Sequence, residues 1–127
     1  MSDFENVTAA DLLQRMMARE YFLIESTPLA PFEHLQPVLK DHLLYLIRLE
    51  KEGVLFASGP LKDKTNTMTG AGITIVRADS FEEAEQIAHG DPFVKAGLRK
   101  PTIHKWTMNE GRLSISLDLS DGTASLG

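Results

Sequence analysis

Two side chains in this sequence have the types that move protons, and they stand far apart in the chain. His42 lies inside "LQPVLKDHLLYLIRLEKEG", between Leu39 and Leu46, on the apolar stripe of an expected helix. Burying an imidazole there costs free energy unless its ring nitrogens find partners. Two readings of His42 stand at this level. In one it is a core histidine bonded to a backbone carbonyl or a water. In the other, a carboxylate holds one nitrogen, fixes the tautomer and leaves the second nitrogen to take a proton from a bound molecule. Asp91, in "AHGDPFVKAGL", is the candidate carboxylate. It also has a local explanation: Asp is a favoured N-cap and Pro92 suits the first helical position, so "PFVKAG" reads as one helical turn ended by Gly97. The two roles are compatible, because a carboxylate has two oxygens and about four acceptor sites.

Ser58-Gly59-Pro60 carries a similar pair of readings. As punctuation it is a strand end and a tight turn. As a site it is a place where a ligand approaches backbone closely, with the Ser58 hydroxyl as donor. The expected substrate contacts are Ser58, Gly59, Pro60 and Phe93. Other motifs fail on context. "GAG" at Gly70 to Gly72 precedes a strand rather than a helix, so it cannot cradle a dinucleotide phosphate. No P-loop and no G-x-S-x-G elbow is present. His34, His42, His89 and His104 show neither H-x-x-x-H nor H-x-H spacing, and no metal is expected.

The elements that must position these residues follow from the pattern. "VTAADLLQRMMA" predicts a short helix with Thr8 as N-cap and Asp11 completing a capping box. "REYFLIES" predicts a buried strand, and Pro28 with Pro31 a loop. Leu35, Val38, Leu39, His42, Leu46 and Leu49 recur at helical spacing, with Pro37 near the start and Gly53 past the end. "VLFASGP" and "AGITIVRA" predict two more strands. The polar stretch between them, Leu61 to Gly70, reads as a mobile loop and a candidate lid. Ser80 with Glu83 opens the helix "SFEEAEQIAHG". "PTIHKWTM" predicts a fourth strand, with Trp106, His104 and Met108 on one face. After Asn109-Glu110-Gly111, the strict alternation of Leu113, Ile115, Leu117 and Leu119 predicts a half-buried strand.

The core order is β-α-β-β-α-β, a ferredoxin-like α+β fold with two helices over one face of an antiparallel sheet. The other sheet face still carries apolar side chains and needs cover. A second copy of the chain is the simplest cover, so a homodimer is expected. Residues 1–19 read as a helical extension, 20–108 as the folded domain and 109–127 as a C-terminal strand extension.

Bulk composition narrows the function classes. The chain has 127 residues, 43% hydrophobic and 24% charged, with a net charge of −5. That charge opposes nucleic-acid binding, and no basic cluster offsets it. With no cysteine, disulfides and thiolate chemistry are absent. The acidic start lacks a signal-peptide pattern and no apolar run reaches membrane-spanning length, so a cytoplasmic, soluble protein is expected.

The segments "KDHLLYLIRLEKEGVLFASGPL", "GAGITIVRADSFEEAEQIAHGDPFVKAGL" and "IHKW" resemble the YciI-like (YCII-related) family, from about Tyr21 to Trp106. The resemblance implies a ferredoxin-like fold assembled as a dimeric α+β barrel. It also implies a His–Asp active-site pair, which by motif falls on His42 and Asp91. Known activity in that group is dehydrochlorination of chlorinated, hydroxylated aromatics, and related barrels include muconolactone isomerases and small monooxygenases. The leading helix and the strand after Trp106 depart from the shortest members. The expected function is a cofactor-free lyase or isomerase acting on a small compound, with a non-catalytic small-molecule-binding domain as the alternative.

Overall fold

The sheet that carries the site is built from four strands, three of which bury side chains while the second in chain order is almost wholly exposed. In β1 (Arg19–Pro28), Phe22, Ile24 and Ser26 are buried on one side. β2 (Leu55–Lys62) and β3 (Met68–Val76) form a hairpin, and β4 (Arg99–Met108) closes the far edge, giving the order β2-β3-β1-β4. β3 runs antiparallel to both of its neighbours, with Phe22 opposite Val76 and Ser58 opposite Thr74. This is the expected ferredoxin-like arrangement. The computed structural model describes residues 5–127, and residues 1–4 of the acidic start lie outside the described residues.

Helices α2 (Leu39–Lys51) and α3 (Phe81–His89) cover the same face of the sheet. Tyr45 and Leu49 of α2 meet Ile87 and Ala88 of α3 over Ile24 and Thr74. Pro37 sits in a single 3-10 turn, Gln36–Val38, so its missing N–H costs α2 nothing. Ser80 caps α3 by accepting the Glu83 N–H, while the Glu83 carboxylate reaches past Ser80 to the Asp79 N–H. Phe22, Ile24, Val76, Ala84 and Ala88 form the core, with Ile103 packed against it. Truncating Phe22 there would remove a ring and leave a cavity, worth about 3–5 kcal/mol.

Gly90 ties the two helices together by lacking a side chain. The Tyr45 hydroxyl donates to the Ile87 carbonyl at 2.7 Å, and it occupies the place where a Cβ on Gly90 would lie. Burial pushes the Tyr45 hydroxyl pKa up, so it stays a donor. Gly90→Ala is expected to displace that hydroxyl and lower unfolding free energy by roughly 1–3 kcal/mol. Urea denaturation checks this; an unchanged midpoint would mean that the ring moves aside freely.

Three expectations change. Ser58-Gly59-Pro60 is not a strand end; it lies within β2, and a proline is tolerated there because β2 is an edge strand. The stretch Leu61 to Gly70 is not one continuous loop, because strands run through half of it and residues 63–67 form a hairpin turn. Asp63 holds that turn by accepting the N–H groups of Thr65 and Thr67 and the Thr65 hydroxyl, at 2.7–3.1 Å. Those bonds, the hydroxyl's first, hold its carboxyl below the ordinary aspartate range. Third, the C-terminal region is a two-stranded hairpin, β5 (Ile115–Asp118) with β6 (Thr123–Leu126), and its alternating apolar residues are exposed, Leu119 at 87%. Alternation marks a face suited to burial; no layer among the described residues supplies it.

By compactness Glu20–Thr107 forms one unit, and the described part of Met1–Arg19 with Met108–Gly127 another. In the latter, α1 (Ala9–Arg15) has the expected Thr8–Asp11 capping box. No helix among the described residues is long and apolar enough to cross a membrane.

Candidate active site

The two expected proton-handling residues meet. His42 Nδ1 lies 2.8 Å and 3.0 Å from the two oxygens of Asp91, and both residues are 7% exposed. α2 supplies the histidine from the row that also buries Leu49 against the sheet. The carboxylate comes from the N-cap of α4 (Pro92–Lys95), a single turn opened by Pro92. Asp91 Oδ1 also accepts the Phe93 N–H at 2.9 Å. The cap and the pairing therefore coexist in one carboxylate.

This geometry sets the tautomer. An ionised carboxylate only accepts, so the proton between the two groups belongs to Nδ1, and neutral His42 keeps its lone pair on Nε2. No group among the described residues bonds to Nε2. No buried side-chain nitrogen is left unpartnered either, so Nε2 is not sealed in packing. His42 lines a cleft of about 390 Å³, and Nε2 is its unpartnered ring nitrogen. Phe93, 1% exposed, stacks on the imidazole with ring centroids 4.2 Å apart and fixes its plane.

The cleft also brings together Ser58, Gly59, Pro60 and Phe93, all named from the sequence. Ser58 and Pro60 sit opposite Thr74 and Gly72, on the strand side facing α2. Asp91 is not in the lining and stands behind His42. The remaining wall is mostly aliphatic, from Leu35, Leu39, Leu43 and Leu46. Among the described residues no group of three or more His, Cys, Asp or Glu side chains is placed to hold a metal.

Sequence reasoning missed Arg99. It is 9% exposed, lines the cleft, donates from Nε to the Gly70 carbonyl at 2.8 Å and lies over the Phe93 ring at 4.6 Å. Burial pushes its guanidinium pKa down, and the negative charge of Asp91 acts in the opposite direction. A signal was available. Arg99, Pro101 and Ile103 alternate along β4 on the side facing the core, where a lone arginine needs a reason.

The model of the YCII-related domain matches residues 17–107. The chain belongs to the YCII-related family. A curated relative, the uncharacterized protein YjpA of Bacillus subtilis (strain 168), is 38% identical over 75 residues, which is 59% of this chain and 82% of the relative. Among solved structures, 5-chloro-2-hydroxyhydroquinone dehydrochlorinase (TftG) from Burkholderia phenoliruptrix AC1100, in complex with 2,5-dihydroxybenzoquinone, is similar in fold. It matches with a TM-score of 0.56 and 24% identity, over 68% of this chain and 92% of that chain. The YCII-related match spans both α2 with His42 and the α3–α4 junction with Asp91.

Proposed function

We propose that this protein is a lyase or isomerase that uses His42 as proton acceptor and donor on a small ring compound in the cleft. The observation that carries the reading is Nδ1 held by a buried carboxylate, with Nε2 unpartnered, on a histidine that lines a mostly apolar cavity. Nε2 would take a proton next to a carbonyl or enol, and the freed electron pair would form a new π bond. In elimination a chloride then leaves with its bonding pair, for a net loss of HCl. In isomerisation the imidazolium returns the proton to a different carbon. Asp91 stabilises the imidazolium between these steps, and needs only the contact it already makes. Ser58 and the Gly59 backbone would place the substrate, with Phe93 and Pro60 as apolar contacts. The reaction as written needs no cofactor.

The dehydrochlorinase activity of TftG, a protein of the same fold, supports this choice of chemistry. The same reading places a second copy of the chain over the outer sheet face, where Tyr21 packs on Phe56 and Trp106. Chlorinated hydroxyhydroquinones, hydroxylated quinones and unsaturated lactones form the test panel, followed by chloride release and by ultraviolet spectra. Turnover of at least one compound, lost in His42→Asn, is the expected result. Tight binding with no turnover of any compound would favour the binding-domain alternative instead.

A further inference from the structure

The cleft holds one charged group that proton transfer does not use. Nη1 and Nη2 of Arg99 have no partner among the described residues; Nε alone is bonded, to Gly70. Asp91 forms neither a hydrogen bond nor an ion pair with Arg99; its oxygens face His42 and the Phe93 N–H, and its charge acts on the guanidinium from farther off. No buried side-chain nitrogen is left unpartnered, so these two amino groups keep some exposure, and Arg99 is part of the cleft wall. A buried cation with no directly paired carboxylate is costly, and retaining one among aliphatic walls is the arrangement of an anion site. The backbone leaves room for the anion. Gly72 also lines the cleft, and a Cβ there would stand 3.2 Å from Nη1.

We propose that Arg99 binds an anionic oxygen of the ligand, so that the cleft selects planar, anionic ring compounds (phenolates, enolates or aromatic carboxylates) over neutral ones. This deepens the reading above and rests on it for the chemistry that follows binding. The planar guanidinium offers paired donors to such an oxygen while Phe93 holds its plane. When His42 removes a proton, the charge left on a conjugated oxygen would lie against Arg99.

Binding of para-nitrophenol, read from its own phenolate absorption, tests this against its neutral ether, para-nitroanisole. Wild-type protein is expected to bind the phenolate at least about 10-fold more tightly than the ether, and to raise the bound phenolate fraction. Arg99→Met is expected to lose about 10- to 100-fold in phenolate affinity, with Arg99→Lys retaining part of it. Gly72→Ala keeps the cation but crowds Nη1, and is expected to weaken phenolate binding several-fold, about 3- to 10-fold. It serves if Arg99→Met does not fold. Equal affinity of wild type for phenolate and ether overturns the proposal. So does undiminished phenolate binding in folded Arg99→Met or, failing that variant, in Gly72→Ala. The two readings fail separately: these measurements concern binding, whereas the role of His42 is tested by the turnover of His42→Asn.

Discussion

His42→Asn is expected to lower turnover by about 100- to 10,000-fold, the range associated with loss of a positioned acid–base group. The substitution is chosen because an asparagine amide can still donate to Asp91 from roughly the position of Nδ1. The buried carboxylate then keeps a partner, and only the unpartnered Nε2 end of a cleft-lining side chain is lost. Its thermal midpoint should therefore stay close to wild type, apart from the lost stacking on Phe93. His42→Ala is a poorer test, because it strands a buried carboxylate and mixes a stability loss of about 3–5 kcal/mol into the activity. Steady-state kinetics on any compound that the wild type turns over would check this, and full activity in His42→Asn would remove the histidine from the mechanism.

Asp91 is expected to separate its two jobs under two substitutions. Asp91→Asn can keep the cap, since an amide oxygen can accept the Phe93 N–H that Oδ1 accepts now. Its NH2 would then face His42 and donate to Nδ1. The imidazole proton is forced onto Nε2, and the base is gone. Turnover should fall by about 100- to 10,000-fold with a stability change near 1 kcal/mol. Asp91→Ala removes both the cap and the histidine's partner, and should cost about 2–4 kcal/mol in denaturation. If Asp91→Asn stays active while Asp91→Ala merely unfolds more easily, Asp91 is a cap and nothing more.

How much of this was readable in the sequence differs from element to element. The helical spacing from Leu35 to Leu49 marked the row on which His42 is buried, and Asp91-Pro92 marked an N-cap with its proline. Both are local patterns, set by residues a few positions apart. The contact between them spans 49 residues in sequence, and no local rule specifies it. It exists because α3 packs on α2 through Tyr45, Ile87 and the bare Cα of Gly90, which delivers α4 to the right place. Ser58-Gly59-Pro60 misled for a related reason. Gly-Pro is a turn signal, and only the sheet order shows that β2 is an edge where proline fits. The polar loop between β2 and β3 misled because its turn is closed by Asp63 side-chain bonds rather than by apolar packing. Arg99 was legible only to a reader who had already assigned the faces of β4. In the C-terminal hairpin, period-2 alternation located a strand correctly but said nothing of whether its apolar side is covered.

In the proposed mechanism Asp91 keeps the His42 proton on Nδ1 so that Nε2 can take one from a bound compound. Nitrogen NMR of the His42 imidazole reports both atoms directly, in the free protein at a pH where the ring is neutral and again after adding a compound from the turnover panel. On this mechanism a protonated Nδ1 and a bare Nε2 are expected in the free protein, with Nε2 shifting toward the protonated form on binding. A proton resting on Nε2 in the free protein, or an Nε2 resonance that ignores every ligand bound in the cleft, would contradict it.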